Sequence, residues 1–570
     1  MNRLFFGDNL NWLRDTKIFP DASVDLVYLD PPFNSNADYN VLFREASGEA
    51  SQAQFHAFTD TWNWADAAQT YAEFVDDCPN TAVVEMMDAL HDLLRNSPMM
   101  AYLAMMAPRL AELHRILKPT GSLYLHCDPT ASHYLRVMLD GIFGSKRMLN
   151  EICWKRSAAH SDTKQGMRRC GRIHDLLLLY AKADKYTWNP IWTPYTADYF
   201  EQEYRHVAPD GRKYKETDLT AAKPGGEVEY EWRVKRQKKK GKRWGADLTD
   251  EYRSPKTNFE YRGVRPYQGR FWAYKKDNLV GFARAGKLIH RKTGMPRLMQ
   301  FSDEMPGIPL QDLWTDIPPE SGANDLGYPT QKPQALLERI ISTSSNAGDT
   351  VLDPFCGCGT TVHAAHKLGR QWIGIDVTYL AVNLIKRRLK DAFGDDVQFE
   401  ERGQPTDFES AKELAKLDKW QFQQWALSLI EARPRTEGDG KGADRGVDGL
   451  LYFYESKDER RKIIVQVKGG GVKRGDVATL LGDVNNQKAA GGILLTLEKP
   501  TGPMRDAAAD AGRYQSKLWH DKDYPRIQIL TIEGLLNNTE RVDAPPQLNP
   551  FAKAQRESKP QKQADLIYRA

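Results

Sequence analysis

The stretch Asp30-Pro31-Pro32-Phe33 combines a carboxylate, two rigid residues and an aromatic ring directly after the apolar run of residues 24–29. Proline cannot donate to a sheet ladder, so the chain is expected to leave its sheet here. The pattern predicts a buried strand whose carboxyl end presents Asp30 and Phe33 in a geometry that the prolines restrict. Such a pair can accept hydrogen bonds and stack on a flat ligand, whereas a strand followed by a stiff turn is the alternative interpretation.

A second stretch, "TVLDPFCGCGTT" at 350–361, is typical of a strand, a glycine turn and a helix. Gly357 and Gly359 allow the backbone to approach a ligand closely. Asp353 ends this strand and Asp376 ends the next, near the spacing at which an acid meets a ribose diol in nucleotide-binding folds. The stretch lacks the Gly-Lys-Ser/Thr ending that cradles a triphosphate and the three-glycine dinucleotide fingerprint. A cofactor with a ribose but no phosphate fits better, and S-adenosyl-L-methionine is that cofactor.

Over about residues 1–395, apart from a variable middle, the chain resembles the beta group of amino-methylating DNA methyltransferases. The resemblance rests on "DPPFN" at 30–34, "YPTQKPQALLERII" at 328–341 and "VLDPFCGCGTT" at 351–361. The stretches "GDN" at 7–9 and "LYLHCDPT" at 123–130 are also similar to family segments. The resemblance implies a circularly permuted order of motifs, in which the catalytic half precedes the cofactor-binding half.

The resemblance implies methyl transfer to the N6 amino group of adenine in double-stranded DNA, with the N4 group of cytosine as the alternative. An exocyclic amino group is a poor nucleophile because its lone pair is delocalised into the ring. Asp30 and the carbonyl of Pro31 can accept its two N–H bonds and aim the lone pair at the methyl group. Pro31 and Pro32 fix the acceptors in advance, and Phe33 can stack on a base turned out of the helix.

Family resemblance also implies the residues that hold the cofactor. The ribose hydroxyls are assigned to Asp376, the adenine amino group to Asp8 and the carboxylate of the cofactor to Lys332. The residues expected around the methionine part are Asp353, Phe355, Gly357, Gly359 and Thr360.

A basic cluster flanked by Trp232 and Trp244 lies in the variable middle. Basic side chains interleaved with aromatic ones suit a nucleic-acid backbone and exposed bases, and a solvated loop is the alternative. The cluster consists of Arg233, Lys235, Arg236, Lys238, Lys239, Lys240, Lys242 and Arg243.

A third unit resembles the Mrr-like branch of PD-(D/E)xK restriction nucleases over about residues 420–510. Asp448 begins an apolar strand, while Gln466 and Lys468 share one face of the next. If the two strands pair as a hairpin, Asp448 and Gln466 could hold Mg²⁺ while Lys468 orients water. The acid usual on the first helix is replaced, since Gln423 follows Phe422. An inactive, DNA-binding module is therefore the alternative.

The segments that position these residues alternate between strand-like and helix-like patterns. The expected fold class is α/β: a Rossmann-like methyltransferase sheet with an inserted target-recognition region, plus a C-terminal α/β restriction-endonuclease-like domain. The expected boundaries are 1–150 for the catalytic half, 151–325 for the insert, 326–400 for the cofactor-binding half, 401–419 for a linker, 420–540 for the nuclease-like domain and 541–570 for a flexible tail.

Composition adds few constraints. The 570 residues are 41% hydrophobic, enough for sizeable cores, and contain no apolar run long enough to span a membrane. Without a signal-peptide pattern or a disulfide framework, a cytoplasmic location is expected. The net charge of +4 predicts no partner by itself. The sequence favours a restriction–modification enzyme and leaves open whether it forms a homodimer, whether it acts mainly as an endonuclease with self-protecting methylation, or whether it is a DNA-binding regulator.

Overall fold

The computed structural model describes residues 1–557 apart from 33–37, 41–55, 60–63, 158–167, 169, 223–229, 237–248, 256–259, 306, 322–324, 327, 329, 396, 435–445, 457–458, 520–521 and 547–554. The described residues divide into two compact units, one of residues 1–189 with 311–557 and one of residues 190–310. Among the helices of the described part, none combines the length and apolar character that a membrane span requires.

Residues 1–189 begin the first unit and alternate strands with helices, as their pattern predicts. The strand before Asp30 starts at Val24, as expected, and Leu26 and Leu29 within it are fully buried. The elements are β1 (Asn2–Phe6), α1 (Asn9–Arg14), β2 (Val24–Leu29), β3 (Asp38–Asn40), β4 (His56–Thr59), α2 (Trp64–Asp77), α3 (Thr81–Leu94), α4 (Pro98–Ile116), β5 (Leu117–Cys127), α5 (Ser132–Phe143), β6 (Met148–Lys155) and β7 (His174–Ala181).

Residues 190–310 form the second unit, which has a small core of its own around Leu219, Trp272 and Leu279. Its largest sheet has four strands, and β12 pairs antiparallel with β13 as a separate ribbon. The elements are β8 (Trp192–Thr193), α6 (Ala197–Glu203), β9 (His206–Val207), β10 (Lys213–Asp218), β11 (Thr220–Ala221), β12 (Tyr230–Arg236), β13 (Thr249–Pro255), β14 (Phe271–Trp272), α7 (Lys276–Arg284), β15 (Leu288–His290), β16 (Pro296–Phe301) and β17 (Ile308–Pro309).

Residues 311–402 return to the first unit and add the strand–turn–helix segment that the glycines predict. The helix after "TQKP" buries Leu336, Leu337, Ile340 and Ile341, the face expected from the sequence. The elements are β18 (Leu313–Trp314), α8 (Gln334–Ser344), β19 (Thr350–Asp353), α9 (Thr360–Lys367), β20 (Gln371–Asp376), α10 (Tyr379–Phe393) and β21 (Phe399–Arg402).

One nine-stranded sheet joins the two halves in the order β18-β6-β7-β5-β2-β19-β20-β1-β21. It is mostly parallel, as expected, and β7 runs antiparallel to both of its neighbours. At the centre, β2 and β19 pair in parallel with Leu26 opposite Val351. The carboxyl ends of these strands therefore lie side by side, and these ends carry Asp30 and Asp353.

The expected boundaries of the insert and the linker differ from the observed ones. The strand β7 and most of β6 fall in the predicted insert of 151–325, but both strands belong to the large sheet, and residues 176–181 give β7 a fully apolar run. The second unit accordingly spans only 190–310 of that region. The predicted linker at 401–419 contains a helix with an Asp407–Ser410 capping box, α11 (Phe408–Leu417).

The C-terminal part contains a five-stranded sheet in the order β22-β23-β24-β25-β28. The predicted hairpin is confirmed, because Gly449 and Val465 are partners in an antiparallel pair. The remaining elements are α12 (Lys419–Ser428), β22 (Arg433–Pro434), β23 (Gly449–Tyr454), β24 (Arg460–Lys468), α13 (Arg474–Asn486), β25 (Gly491–Thr496), α14 (Gly502–Asp510), β26 (Arg513–Gln515), β27 (Asp523–Pro525), β28 (Ile527–Thr531) and α15 (Ile532–Leu536).

Candidate active site

A pocket opens where β2 and β19 end side by side. Asp30, Pro31 and Pro32 line it from one strand end, together with most of the residues expected to bind a cofactor. Phe33 lies outside the described residues. The predicted cofactor residues that line the pocket are Asp8, Lys332, Asp353, Phe355, Gly357, Thr360 and Asp376.

The carboxylate of Asp30 has two different oxygens. Its Oδ2 accepts from the ammonium group of Lys332, and the two side chains are only 17% and 14% exposed. Its Oδ1 is buried, and no group of the described residues donates a hydrogen bond to it. A buried acceptor without a donor costs free energy, so this oxygen is a candidate contact for a ligand.

The two glycines of the turn have different roles. Both have positive φ values, +48° for Gly357 and +76° for Gly359. The backbone N–H of Gly357 donates to Oδ2 of Asp376 at 2.9 Å, at the pocket wall. A Cβ at Gly359 would lie 2.6 Å from Cγ1 of Ile385, so this glycine permits close packing of the turn against α10. Gly359 itself is not among the residues lining the pocket.

Asp353 and Asp376 are carboxylates buried beside the turn. Asp353 accepts from the backbone N–H of Phe355 at 3.0 Å and from the hydroxyl of Thr361 at 2.6 Å. Burial raises the pKa of Asp353 to about 7, although these hydrogen bonds oppose the shift. Burial likewise raises the pKa of Asp376 to about 6, against hydrogen bonds from Thr378 and the turn. The pocket therefore holds Asp353 and Asp376 at a cost in desolvation, a trait common at functional sites.

Asp8 lies at the N-terminus of α1 and accepts from the backbone N–H of Leu10 at 2.8 Å. It also pairs with Arg109, whose Nη2 is 2.8 Å from Oδ1. Sequence reasoning missed Arg109, because no motif marks it and it lies within the mostly buried helix α4. Its Nε donates to Asn9 at 2.7 Å, so Arg109 fastens the "GDN" stretch to α4.

A row of buried polar side chains crosses the sheet behind Asp30. The hydroxyl of Tyr28 is 3.0 Å from Nδ1 of His126, and Nε2 of His126 is 3.3 Å from Oδ2 of Asp175. Tyr28 lines the pocket and is two residues before Asp30, so both side chains point to one face of β2. The alternation within "LYLHCDPT" could have predicted the contact between Tyr28 and His126. It places His126 and Tyr124 on one face of β5, and Tyr124 lies opposite Tyr28 in the sheet.

The sequence profile of the N6/N4 DNA methylases matches residues 24–387. This span includes β2, β19 and the turn between β19 and α9. The chain belongs to the N6/N4 DNA methylase family. Membership accounts for the pairing of an Asp-Pro-Pro strand end with a glycine turn in one pocket.

Two curated relatives of this N6/N4 DNA methylase align over long stretches. The type II methyltransferase M.EcaI of Enterobacter cloacae is 29% identical over 367 residues, which cover 64% of each chain. The Mod subunit of the type III restriction-modification enzyme StyLTI of Salmonella typhimurium is 24% identical, covering 65% of this chain and 50% of its own. The matches thus span less than two thirds of either relative. The solved structure of the cytosine-N4-specific PvuII DNA methyltransferase aligns at 12% identity and a TM-score of 0.31, covering 68% of this chain and 86% of that one.

The C-terminal sheet brings the two predicted metal ligands, Asp448 and Gln466, near one another, but both side chains form hydrogen bonds with other residues. Asp448 accepts from Nε2 of Gln423 at 2.9 Å and from the backbone N–H of Val467 at 2.6 Å. Gln466 donates to Asp483 at 3.1 Å. Within the described ranges, no group of three His, Cys, Asp or Glu side chains is arranged to hold a metal ion. The donor set does not fit the expected Mg²⁺ site.

The Nζ of Lys468 lies 3.5 Å from Oδ1 of Asp476 on α13, and its assignment to a water molecule stays a prediction. The profile of the NACHT-associated inactive restriction endonuclease 1 matches residues 420–537. The endonuclease-like domain is therefore indicated, and its matched family is described as inactive.

The predicted DNA-binding cluster lies in the second unit of the methylase. Arg233, Lys235 and Arg236 lie on β12, whose backbone pairs with β13. The other members fall outside the described residues; they are Lys238, Lys239, Lys240, Lys242 and Arg243.

Proposed function

We propose that this chain transfers a methyl group from S-adenosyl-L-methionine to the N6 amino group of adenine in double-stranded DNA, as the modification enzyme of a restriction–modification system. The observation that carries the proposal is the half-satisfied carboxylate of Asp30 in the same pocket as the glycine turn. The buried Oδ1 is an acceptor awaiting a donor, and the base supplies that donor as an amino group.

The residues around the turn fit an adenosyl cofactor. When bound, the cofactor supplies an electrophilic methyl group. Asp376 lies at the end of β20, where its carboxylate accepts from the ribose hydroxyls. The turn at Gly357 allows close approach of the methionine part, with Phe355 and Thr360 beside it. Asp8 is available to the adenine end through its half-exposed carboxylate.

Asp30 and Pro31 act on the amino group itself. Oδ1 of Asp30 accepts one N–H and the carbonyl oxygen of Pro31 accepts the other, which favours a pyramidal nitrogen with its lone pair directed at the methyl group. Because Pro31 and Pro32 restrict the backbone, these acceptors need little reorganisation during the reaction. Phe33 stacks on the base that has been turned out of the duplex.

Lys332 contributes to the site through Asp30. The resemblance assigns Lys332 to the carboxylate of the cofactor, and in the structure its ammonium group pairs with Asp30. It holds Oδ2 and thereby leaves Oδ1 directed at the base. A charge-assisted hydrogen bond of this kind is stronger than a neutral one, so it fixes the orientation of the carboxylate.

Two features concern the DNA. The aspartate before the two prolines, where a serine could stand, favours adenine over cytosine through family resemblance, and N4 of cytosine is the second candidate. The basic cluster of residues 233–243 binds phosphates and thus positions the duplex, while the insert around it reads the sequence.

The C-terminal domain acts as a DNA-binding module without cleavage activity. The supporting observation is the bond from Gln423 to Asp448, because an amide there donates to the acid that a nuclease would use for its metal. A self-protecting endonuclease would need that carboxylate to be available.

The direct test of the transfer uses the purified full chain, unmethylated double-stranded DNA and S-adenosyl-L-methionine carrying a tritiated methyl group. The proposal expects tritium in the DNA. If calorimetry detects cofactor binding but no DNA becomes labelled under any salt condition, the proposed substrate is wrong.

A further inference from the structure

A short segment near the C-terminus lies against the methyltransferase part of the first unit. The carboxylate of Glu557 accepts from Nε2 of Gln334 at 2.9 Å, is 3.0 Å from Nε2 of His363 and pairs with Lys367 at 3.1 Å. Its backbone N–H donates to the carbonyl of Ala392 at 2.9 Å. One side chain therefore touches α8 and α9, the two helices that flank β19 in the chain.

The contact continues inward from His363. Nε of Arg388 donates to Nδ1 of His363 at 3.2 Å, and Nη1 of Arg388 donates to the carbonyl of Cys358 at 3.2 Å and to the hydroxyl of Thr360 at 3.1 Å. Cys358 and Thr360 belong to the glycine turn and line the pocket. Glu557 is thus linked to the proposed cofactor turn through two intervening side chains.

The protonation of the link follows from its partners. Burial lowers the pKa of His363 to about 4, so the ring is neutral at pH 7 and carries one N–H. Because Arg388 can only donate, Nδ1 must accept and the proton must lie on Nε2, where it donates to Glu557. Burial alone would raise the pKa of Glu557, but hydrogen bonds from His363 and Gln334 and the charge of Lys367 lower it to about 2. The carboxylate is therefore ionised at neutral pH.

The charge of Glu557 matters because Arg388 is a buried cation, only 3% exposed. Among the described residues, no carboxylate lies within ion-pair distance of its guanidinium. Burial lowers the pKa of Arg388, whereas Cys358 first, then Glu320 and Glu557, oppose that shift and favour the charged form. A buried charge needs a compensating partner. Glu557 supplies part of that compensation, and His363 lies between its carboxylate and the guanidinium.

We propose that Glu557 is a positioning residue for the glycine turn: through His363 and Arg388 it holds residues 356–360 in the shape that receives the cofactor. The part about affinity rests on the proposed function, because it takes the turn as the S-adenosyl-L-methionine site. Glu557 lies outside the span matched by the N6/N4 DNA methylase profile, residues 24–387. Cofactor affinity is therefore set partly by a segment beyond the endonuclease-like domain.

Two measurements on the full chain test this inference with Glu557→Gln, which keeps the size of the side chain and removes its charge. Hydrogen exchange of the free protein is expected to speed up at the amides of 356–360. Calorimetry with S-adenosyl-L-methionine is expected to show about tenfold weaker binding, as for the loss of one charge-assisted contact. The rate of transfer at saturating cofactor and DNA should stay near the wild-type value. The matched control is Arg556→Gln, because Arg556 is an exposed neighbour on the same segment. This variant should change neither the hydrogen exchange of residues 356–360 nor the affinity for the cofactor.

The outcomes separate the two proposals. If the wild-type protein fails to bind S-adenosyl-L-methionine, the proposed function is wrong. The hydrogen-exchange rates of residues 356–360 would still test the inference about Glu557. Unchanged exchange and unchanged affinity in Glu557→Gln would overturn the inference. A double-mutant cycle with His363→Gln adds a second check, because a linked pair must show non-additive effects on cofactor affinity. Additive effects would show that Glu557 only packs against α8 and α9.

Discussion

Lys332 and Asp30 form an ion pair although 302 residues separate them in the chain. The pair joins the end of β2 to the segment before α8, and the other oxygen of Asp30 is buried and has no donor in the described part of the chain. One carboxylate is thus anchored at one oxygen and open at the other. This division suits a residue that orients an incoming amino group.

Replacement of Asp30 by Asn tests the role of the open oxygen. Methyl transfer should fall by about 10²–10³-fold, because a preorganised acceptor is lost where charge develops. Cofactor affinity measured by calorimetry should remain near wild type, since Asp30 is assigned to the base. Asp376→Ala should do the reverse and weaken cofactor binding first. Normal transfer by Asp30→Asn would remove Asp30 from the mechanism.

Cofactor affinity should depend on pH through Asp376, whose pKa of about 6 lies above the ordinary value of 3.8. Above that pKa the carboxylate is ionised and can accept from both ribose hydroxyls. Below it the group is protonated, so affinity should fall by about tenfold per pH unit, as for one linked proton. The pKa of Asp376 is higher in the folded protein than in the unfolded chain. Folding stability should therefore fall as pH rises from about 4 to 6, because ionisation of the buried acid disfavours the folded state.

Thr378 provides the matched control for that pH dependence. Its hydroxyl donates to Oδ1 of Asp376 at 2.8 Å and thereby lowers the pKa of the acid. Thr378→Val should move the midpoint of the affinity curve to higher pH, whereas Thr378→Ser should leave it in place. A midpoint that is identical in all three proteins would assign the titration to another group.

Tyr28 should affect the reaction rather than cofactor binding. Its buried hydroxyl forms a hydrogen bond with His126, which fixes the pocket wall next to Asp30. Tyr28→Phe should lower kcat by about tenfold and stability by about 1 kcal/mol, the typical net value of one hydrogen bond. The control is Tyr124→Phe on the neighbouring strand, whose hydroxyl lies 2.8 Å from that of Ser344. It should cost similar stability at an unchanged kcat. Equal kcat values for both variants would contradict the assignment.

The sheet and its pocket could be predicted from the sequence because local patterns encode them. The apolar run of 24–29, the prolines after it and the glycines of 357 and 359 each specify a strand end or a turn. The Lys332–Asp30 pair could not be predicted, since it depends on β2 and β19 becoming neighbours. Likewise, the partner of Asp448 follows from side-chain orientations that spacing alone does not determine. The strand at 174–181 carried an apolar signal, but the basic and aromatic residues around it made the region resemble an insert.

The C-terminal domain should not cleave DNA. Asp448 is engaged by Gln423 and Gln466 by Asp483, so Mg²⁺ would have to break these bonds to bind. Incubation of the purified protein with unmethylated and with fully methylated plasmid, each with Mg²⁺, should leave both intact. Cutting of either plasmid that disappears in Lys468→Ala would restore the nuclease assignment.

The basic cluster should govern affinity for DNA without governing its sequence preference. Neutralising Lys235 and Arg236 together with the lysines at 238–240 should weaken binding about uniformly across DNA sequences and flatten the dependence on salt concentration. Fluorescence anisotropy over a salt series measures both effects. A change in the methylated motif would instead place sequence reading in this cluster.

Nucleoside analysis of methylated DNA tests the central claim most directly. Unmethylated double-stranded DNA is incubated with S-adenosyl-L-methionine and the full chain, or with Asp30→Asn, then digested and analysed by mass spectrometry. We expect N6-methyladenine from the wild type and about a hundredfold less N6-methyladenine from the variant. Methylation of N4 of cytosine would change the assigned base while keeping the amino-group chemistry. A methyl group on a ring carbon, or wild-type levels from Asp30→Asn, would contradict the account.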